Sequence, residues 1–88
     1  MVKVEVYTRD LCGFCTRAKR LLEQKGVTFT EYNASVDPGA RERMVKRSGQ
    51  RTFPQVFIGD VHIGGCDDLY AAERSGRLDA LLTGEVAQ

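Results

Sequence analysis

Two cysteines three positions apart, Cys12 and Cys15, are the residues of this sequence with the most distinctive chemistry. They enclose Gly13 and Phe14 and lie where an apolar strand pattern passes into a helical one. A sulfur at a helix N-terminus faces unpaired backbone N–H groups and the positive end of the helix dipole, which favour the thiolate. We therefore expect Cys12 to be a nucleophile with a lowered pKa. Cys15 lies one helical turn later and is expected to attack a mixed disulfide formed at Cys12.

A Cys-x-x-Cys pair can also be half of a zinc site, and His62 and Cys66 could complete a four-ligand shell with Cys12 and Cys15. However, His62 lies within an apolar strand pattern and Cys66 follows a double glycine, so neither belongs to a second paired knuckle. This placement favours thiol chemistry over zinc. His62 is predicted to be a solvated strand residue.

A second candidate site is Thr52-Phe53-Pro54, directly before an apolar run. Proline cannot donate a hydrogen bond to a sheet, so Pro54 must begin a strand or lie at an edge. A cis Phe53-Pro54 bond would leave the main-chain groups of Phe53 free to pair with a peptide-like ligand. By itself, however, the local sequence favours a trans bond, because cis is the minority form of X–Pro bonds.

The third candidate is Gly64-Gly65-Cys66-Asp67-Asp68, which joins a strand pattern to a helix start. Glycines permit a close backbone approach, and the N–H groups of a helix start can bind a carboxylate. Asp67 or Asp68 could receive an ammonium group, so the segment would suit the head group of an amino acid. An ordinary capped helix with Cys66 filling space explains the same residues equally well.

The first half of the chain predicts a βαβ unit that would position the cysteine pair. Val2 to Tyr7 alternates apolar and charged residues, as in a strand with one well-buried face. Gly13 to Lys25 carries a helical apolar stripe, and Val27 to Asn33 is rich in β-branched and aromatic residues. Cys12 would therefore lie at the junction between the first strand and the helix.

The second half predicts a helix, a hairpin and a final helix. Asp37-Pro38 reads as the start of a helix that stops at Gly49. The remaining predicted elements are strands at 55–58 and 61–63 around a Gly59-Asp60 turn, a helix from Cys66 or Asp67 to Gly76, and a last turn carrying Leu78, Leu81 and Leu82. The order βαβ-α-ββ-α predicts an α/β domain with a four-stranded mixed sheet flanked by helices.

Composition limits the function classes. Eighty-eight residues suffice for one domain, expected to span 1–88 with a frayed tail at 83–88. A formal net charge of +1 provides no basic field for a nucleic acid or an anionic membrane, so neither is expected as a partner. Three cysteines are too few and too sparse for a secreted disulfide framework, and the N-terminal pattern lacks a secretory signal. We therefore expect a cytoplasmic protein.

With the three motifs in this order, the chain resembles glutaredoxins of the small bacterial dithiol type. The likeness covers nearly the whole chain and rests on Tyr7-Thr8-Arg9 before the cysteine pair, on Thr52-x-Pro54, and on Gly64-Gly65-Cys66-Asp67-Asp68-Leu69. It implies a thioredoxin fold, a cis Pro54, and an oxidoreductase with glutathione as reductant and no required metal. Its expected partners are glutathione and glutathionylated or disulfide-containing proteins, on which it would act as a monomer.

The resemblance also assigns a glutathione groove. Arg9 and Arg41 would face the glycine carboxylate, and the Phe53 main chain would pair with the cysteinyl unit. The side chain of Asp67 or Asp68 would lie near the ammonium of the γ-glutamyl end. The residues that the likeness assigns to glutathione are Arg9, Phe14, Arg41, Thr52, Phe53, Pro54, Gly65, Cys66, Asp67 and Asp68.

The motif departs from the common dithiol pattern, because Gly13-Phe14 replaces Pro-Tyr between the cysteines. Cys-Gly-Phe also begins the motif of the monothiol class, which resembles iron–sulfur cluster carriers. In the alternative function, Cys12 of two subunits and two glutathiones would hold a [2Fe–2S] cluster. Cys15 in place of serine, and the absence of that class's insertion and tryptophan, favour the dithiol oxidoreductase.

Overall fold

The structure is a computed structural model and describes residues 2–84. Four strands and four helices follow one another along the chain. They are β1 (Val4–Thr8), α1 (Gly13–Gln24), β2 (Thr30–Asn33), α2 (Ala40–Ser48), β3 (Gln55–Ile58), β4 (Val61–Gly64), α3 (Cys66–Ser75) and α4 (Arg77–Thr83). None of the helices in this part of the chain is both long and apolar enough to cross a membrane.

The strands form one mixed sheet in the order β2-β1-β3-β4. β1 is parallel to β2 and antiparallel to β3, and β3 is antiparallel to β4. Parallel neighbours need a crossover connection, which α1 supplies, whereas β3 and β4 are joined by a short turn. The predicted fold class, an α/β thioredoxin fold with a four-stranded mixed sheet, is confirmed.

Each face of the sheet carries its own hydrophobic cluster. The first, which we call the aliphatic face, comprises Val4, Val6, Ala18, Leu21, Leu22, Val56, Ile58, Ile63, Leu69, Ala72, Leu78 and Leu81. Its helical members come from α1, α3 and α4. The second, which we call the aromatic face, comprises Tyr7, Ala40, Met44 and Phe57, and its helical members come from α2. The sheet is therefore enclosed between two helical layers.

Both faces of β1 are buried, whereas the alternating sequence predicted one. The unexpected member is Glu5, only 9 % exposed. Tyr32 donates a 2.9 Å hydrogen bond to its carboxylate, and an Arg47 nitrogen donates another at 3.1 Å. Burial raises the pKa of Glu5, but the Tyr32 hydrogen bond and the Arg47 guanidinium together bring that pKa below its ordinary value. The residue is a buried, paired charge.

Several predicted boundaries shift. β2 begins at Thr30, not Val27. α2 begins at Ala40, not at the predicted Pro38. Asp37 accepts a hydrogen bond from the Gly39 N–H and pairs with Arg43 at 2.7 Å, and Pro38 lies in the turn before the helix. In the predicted frayed tail, Thr83 is the last residue of α4, and residues 85–88 lie outside the described part of the chain.

Candidate active site

Cys12 lies where the sequence predicted it, at the N-cap of α1. The preceding loop leaves β1 at Thr8 and turns at Leu11, whose φ of 54° is left-handed and whose side chain is fully exposed. The N–H of Cys15 points at the Cys12 sulfur, 3.1 Å away. The end of a helix thus supplies a hydrogen-bond donor to this sulfur, the local arrangement that favours a thiolate.

The two cysteines form a disulfide, with their Cα atoms 5.2 Å apart. Cys15 is the more deeply buried of the two, 2 % exposed against 9 % for Cys12. The intervening Gly13 and Phe14 are exposed. An incoming sulfur can therefore approach Cys12 more directly than Cys15, the order that attack and resolution require.

The Thr52-Phe53-Pro54 loop lies against the cysteine pair. Its Phe53-Pro54 bond is cis, as the resemblance implied and contrary to the expectation from the local sequence alone. Pro54 is buried, and the carbonyl oxygen of Phe53 lies 3.9 Å from the sulfur of Cys12. Thirty-six residues lie between Cys15 and Thr52, yet the antiparallel pairing of β1 with β3 brings the two motifs together.

The glycine motif packs on the same loop. A Cβ at Gly65 would lie 3.4 Å from the carbonyl oxygen of Pro54, so the backbone approach is close. Gly64 has a φ of 118°, and a Cβ there would collide with the Asp68 carboxylate. That carboxylate accepts the Gly65 N–H at 3.1 Å and so caps α3. The two glycines let β4 turn sharply into the helix.

A groove of about 370 Å³ borders the cysteine motif through Phe14, with Cys12 and Cys15 outside its lining. Among the residues predicted for glutathione, its lining includes Phe14, Thr52, Gly65, Cys66, Asp67 and Asp68. The remaining predicted residues lie outside that lining. Arg9 donates to the carbonyls of Asp10 and Leu11, at 3.2 and 3.4 Å, and the Arg41 guanidinium lies 5.3 Å from the centre of the Phe53 ring.

The lining also includes Gly64 of the third predicted motif. Sequence reasoning missed four further groove residues, namely Gln50, Gln55, His62 and Ile63. His62 is not simply solvated, since it is half-buried, stacks on Phe57 at 4.9 Å and contacts Gln55 at 2.7 Å. Burial lowers the pKa of His62, an effect that the nearby Asp68 carboxylate partly opposes. A glutamine opening an otherwise apolar strand was the available sequence signal.

The four residues of the zinc alternative, Cys12, Cys15, His62 and Cys66, do not form a metal site. Among residues 2–84, no group of three or more His, Cys, Asp or Glu side chains is placed to hold a metal ion. Cys66 is free and buried, and burial raises the pKa of its thiol. Its sulfur therefore behaves as a small apolar side chain, in contrast to the sulfur at the start of α1.

A thioredoxin fold with a cysteine pair at a helix N-terminus and an adjoining cis-proline loop defines a dithiol oxidoreductase. Comparison with known proteins makes the class specific, because residues 4–63 match the family model described as Glutaredoxin. The chain belongs to the glutaredoxin family. It is therefore a thiol–disulfide oxidoreductase, as the sequence predicted.

Individual relatives are similar to this chain over nearly its full length. Glutaredoxin 3 of Escherichia coli is 54 % identical over 82 residues, which cover 93 % of this chain and 99 % of that protein. The solution structure of a glutaredoxin from Brucella melitensis is 55 % identical, covers 100 % of this chain and 96 % of that one, and has a TM-score of 0.84. The crystal structure of a buckwheat glutaredoxin–glutathione complex is 34 % identical, covers 98 % and 83 %, and has a TM-score of 0.85.

Proposed function

We propose that this glutaredoxin uses glutathione to reduce protein–glutathione mixed disulfides and protein disulfides, with Cys12 as nucleophile and Cys15 as resolving thiol. The observation that carries the proposal is the position of the Cys12 sulfur. It accepts the N–H of Cys15 at 3.1 Å and lies 3.9 Å from the Phe53 carbonyl, and Phe14 of the same motif lines an open groove. A relative of the same fold is described as a complex with glutathione, which supports the choice of ligand.

With a glutathionylated protein, the Cys12 thiolate attacks the glutathione sulfur. The protein–glutathione S–S bond breaks, the substrate leaves as a thiolate that takes up a proton, and Cys12 is left glutathionylated. A second glutathione, as thiolate, attacks the glutathione sulfur of this adduct. Glutathione disulfide forms and the Cys12 thiolate returns, so this route does not use Cys15.

With a protein disulfide, Cys12 attacks one sulfur and releases the other as a thiol. The Cys15 thiolate then attacks the Cys12 sulfur, which expels the second substrate thiol and forms the internal disulfide. Two glutathiones reduce that disulfide and leave as glutathione disulfide. The 5.2 Å between the two Cα atoms permits the internal bond without backbone movement.

The groove supplies groups that suit a tripeptide with two carboxylates and one ammonium. At one end, exposed Asp67 and Asp68 carry negative charge for the ammonium, and the start of α3 offers backbone N–H groups for the adjoining carboxylate. Arg41, beside Phe53, provides a cation for the glycine carboxylate. Arg9 would have to release its contacts with the loop carbonyls to join it.

The test compares wild type with Cys12→Ser and Cys15→Ser on two substrates, a small glutathione mixed disulfide and a protein disulfide. We expect Cys12→Ser to lose both activities and Cys15→Ser to lose only protein-disulfide reduction. Gln24→Ala, at the far end of α1, is the control and should match wild type. Loss of both activities in Cys15→Ser would contradict the assigned division of labour, and inactive wild type would contradict the function itself.

One observation favours a second candidate, the [2Fe–2S] carrier. Apart from its chain neighbours and the backbone of its own helix, no atom lies within 4 Å of a Cβ at Gly13, so this residue next to Cys12 faces open space. The described residues of one chain offer no group of three ligands, so the remaining ligands would come from glutathione and a second subunit. A brown, dimeric protein purified without oxygen, with negligible turnover, would move this candidate to first place. A colourless, active monomer supports the oxidoreductase.

We further propose that the protein works as a cytoplasmic monomer on glutathionylated and disulfide-containing proteins, without nucleic acid or membrane partners. The small net charge of +1 and the sparse cysteines support this setting. Size-exclusion chromatography of the reduced protein, with and without glutathione, tests the oligomeric state. A dimer that forms without an iron–sulfur cluster would contradict the proposal that the protein is a monomer.

A further inference from the structure

Two polar side chains, Gln55 and His62, line the groove without belonging to any motif predicted for the site. Gln55 opens β3 and is only 2 % exposed. His62 lies on the neighbouring β4 and is half-buried. A buried amide with unmet hydrogen bonds is costly, so the partners of Gln55 determine its orientation.

The orientation of the Gln55 amide follows from its contacts with Thr52. Its nitrogen lies 3.1 Å from the Thr52 carbonyl oxygen and 3.1 Å from the Thr52 hydroxyl. A carbonyl oxygen can only accept a hydrogen bond, so the group facing it must be the donating nitrogen. The amide oxygen therefore faces His62, 2.7 Å from Nε2, and that ring nitrogen must carry the hydrogen.

The His62 ring is itself held in place. It stacks on Phe57, its direct cross-strand neighbour, with ring centres 4.9 Å apart and planes 29° apart. The Arg47 guanidinium lies 4.0 Å from the centre of the Phe57 ring, and Arg47 is anchored by Glu5 at 3.1 Å. A continuous set of contacts thus runs from the Glu5–Arg47 ion pair of the aromatic face to the groove.

The contact with Thr52 has a consequence for Phe53. The Thr52–Phe53 peptide is trans, so its carbonyl oxygen and its N–H point in opposite directions in one plane. A Thr52 carbonyl fastened to Gln55 turns the Phe53 N–H away from Gln55. The Phe53 carbonyl, on the next peptide, lies 3.9 Å from the Cys12 sulfur.

We propose that Gln55 and His62 are positioning residues, which hold the Thr52–Phe53 peptide in the orientation that lets the Phe53 main chain pair with the disulfide ligand. His62 fixes the Gln55 amide, and Gln55 fixes the peptide. The proposal deepens the glutathione function and rests on it, because the ligand that pairs with Phe53 is the glutathionyl group.

The principal variant is Gln55→Met, which keeps the side-chain length and removes the hydrogen bonds. We expect KM for a glutathione mixed disulfide to rise about tenfold with a much smaller change in kcat, because the lost contacts act on binding. The rate of Cys12 alkylation in the reduced protein should stay at the wild-type value. Unchanged KM in a folded variant would overturn the proposal, as would a parallel fall in alkylation.

His62 provides a matched pair of variants. His62→Leu removes the ring donor and should raise KM in the same way, whereas His62→Gln keeps a donor and should recover most of the loss. Asp60→Asn, in the exposed β3–β4 turn, is the control. Equal KM values for the leucine and glutamine variants would show that the hydrogen bond to Gln55 has no positioning role.

A second readout does not depend on turnover. In wild type, the NMR amide resonance of Phe53 should be sharp, and in Gln55→Met it should shift and broaden while the β2 resonances of Thr30–Asn33 stay unchanged. An unaltered Phe53 resonance would overturn the proposal even if KM changed. Wild type without glutathione-dependent turnover would instead contradict the proposed function, while the Phe53 resonance would still decide whether Gln55 positions the peptide.

Discussion

The two faces of the sheet are built from different chemistry. The aliphatic face is closed by leucine, isoleucine, valine and alanine side chains from three helices and the strands. The aromatic face is smaller, and beside Tyr7 and Phe57 it carries the ion pair between the buried Glu5 and the more exposed Arg47. One face excludes water by packing alone, whereas the other combines packing with directed polar contacts.

This difference separates stability from recognition. Dispersion and burial are non-directional, so an aliphatic cluster supports the fold without specifying the orientation of any polar group. Stacked rings and hydrogen bonds have preferred geometries, and here they connect Arg47, Phe57, His62 and Gln55 to the groove. We therefore expect the aliphatic face to determine stability and the aromatic face also to influence ligand binding.

The largest effect on stability should come from a cavity in the aliphatic face. Leu78 of α4 is completely buried, and Leu78→Ala should lower the free energy of unfolding by about 2–5 kcal/mol. Denaturant unfolding measures this loss, and kcat/KM of the folded variant should remain that of wild type. A large fall in kcat/KM without loss of fold would break the separation between the faces.

A smaller effect is expected from the ion pair on the aromatic face. Arg47→Met removes the closest cation of the buried Glu5 carboxylate and leaves only the exposed Lys3, 3.8 Å away. The free energy of unfolding should therefore fall by about 1–3 kcal/mol near neutral pH. The pKa of Glu5 is lowered in the folded protein, so the ionised Glu5 stabilises the fold at pH values above the ordinary pKa of a carboxyl group. That stabilisation disappears as the pH falls through the lowered pKa.

Urea unfolding of wild type and Arg47→Met at about pH 7 and about pH 3 checks this sign. The difference in free energy of unfolding between the two proteins should be large at the higher pH and small at the lower pH. Glu5→Gln/Arg47→Met is the matched control, since it removes the buried charge together with its partner and should recover part of the loss. A difference that is independent of pH would mean that only the packing of Arg47 matters.

The smallest effect should come from the surface of the aliphatic side. Lys25 follows α1 as its C-cap and contacts Glu73 of α3 and Asp79 of α4, each at 2.7 Å. Hydrogen bonds that Lys25 donates to the Asp79 and Glu73 carboxylates raise the pKa of Lys25. These ion pairs lie at the surface and are partly exposed, and surface ion pairs are weak and screened by salt, so Lys25→Met should lower the melting temperature slightly at low salt and less at high salt. A salt-independent loss would indicate packing by the lysine stem.

Much of the fold was predictable because its patterns are local. The hydrophobic stripe of α1 and the glycine–aspartate turn between β3 and β4 depend on residues close in sequence, and their bounds changed little. The start of α2 was less predictable, since Asp37 bonds to the Gly39 N–H and to Arg43 in place of a regular cap. Such competition between a side chain and the helix start is not visible in a pattern of residue types.

The candidate site also has a part that local sequence patterns predict and a part that they do not. By itself, the sequence determined that two cysteines stand at the junction of a strand and a helix, because a helix N-terminus and a three-residue spacing are local properties. Only the tertiary structure decided which distant segments meet that junction. Central position in the sheet buries Glu5 as well as its apolar neighbours, and strand pairing sets Gln55 beside His62. These contacts depend on which strands are neighbours, which no local pattern encodes.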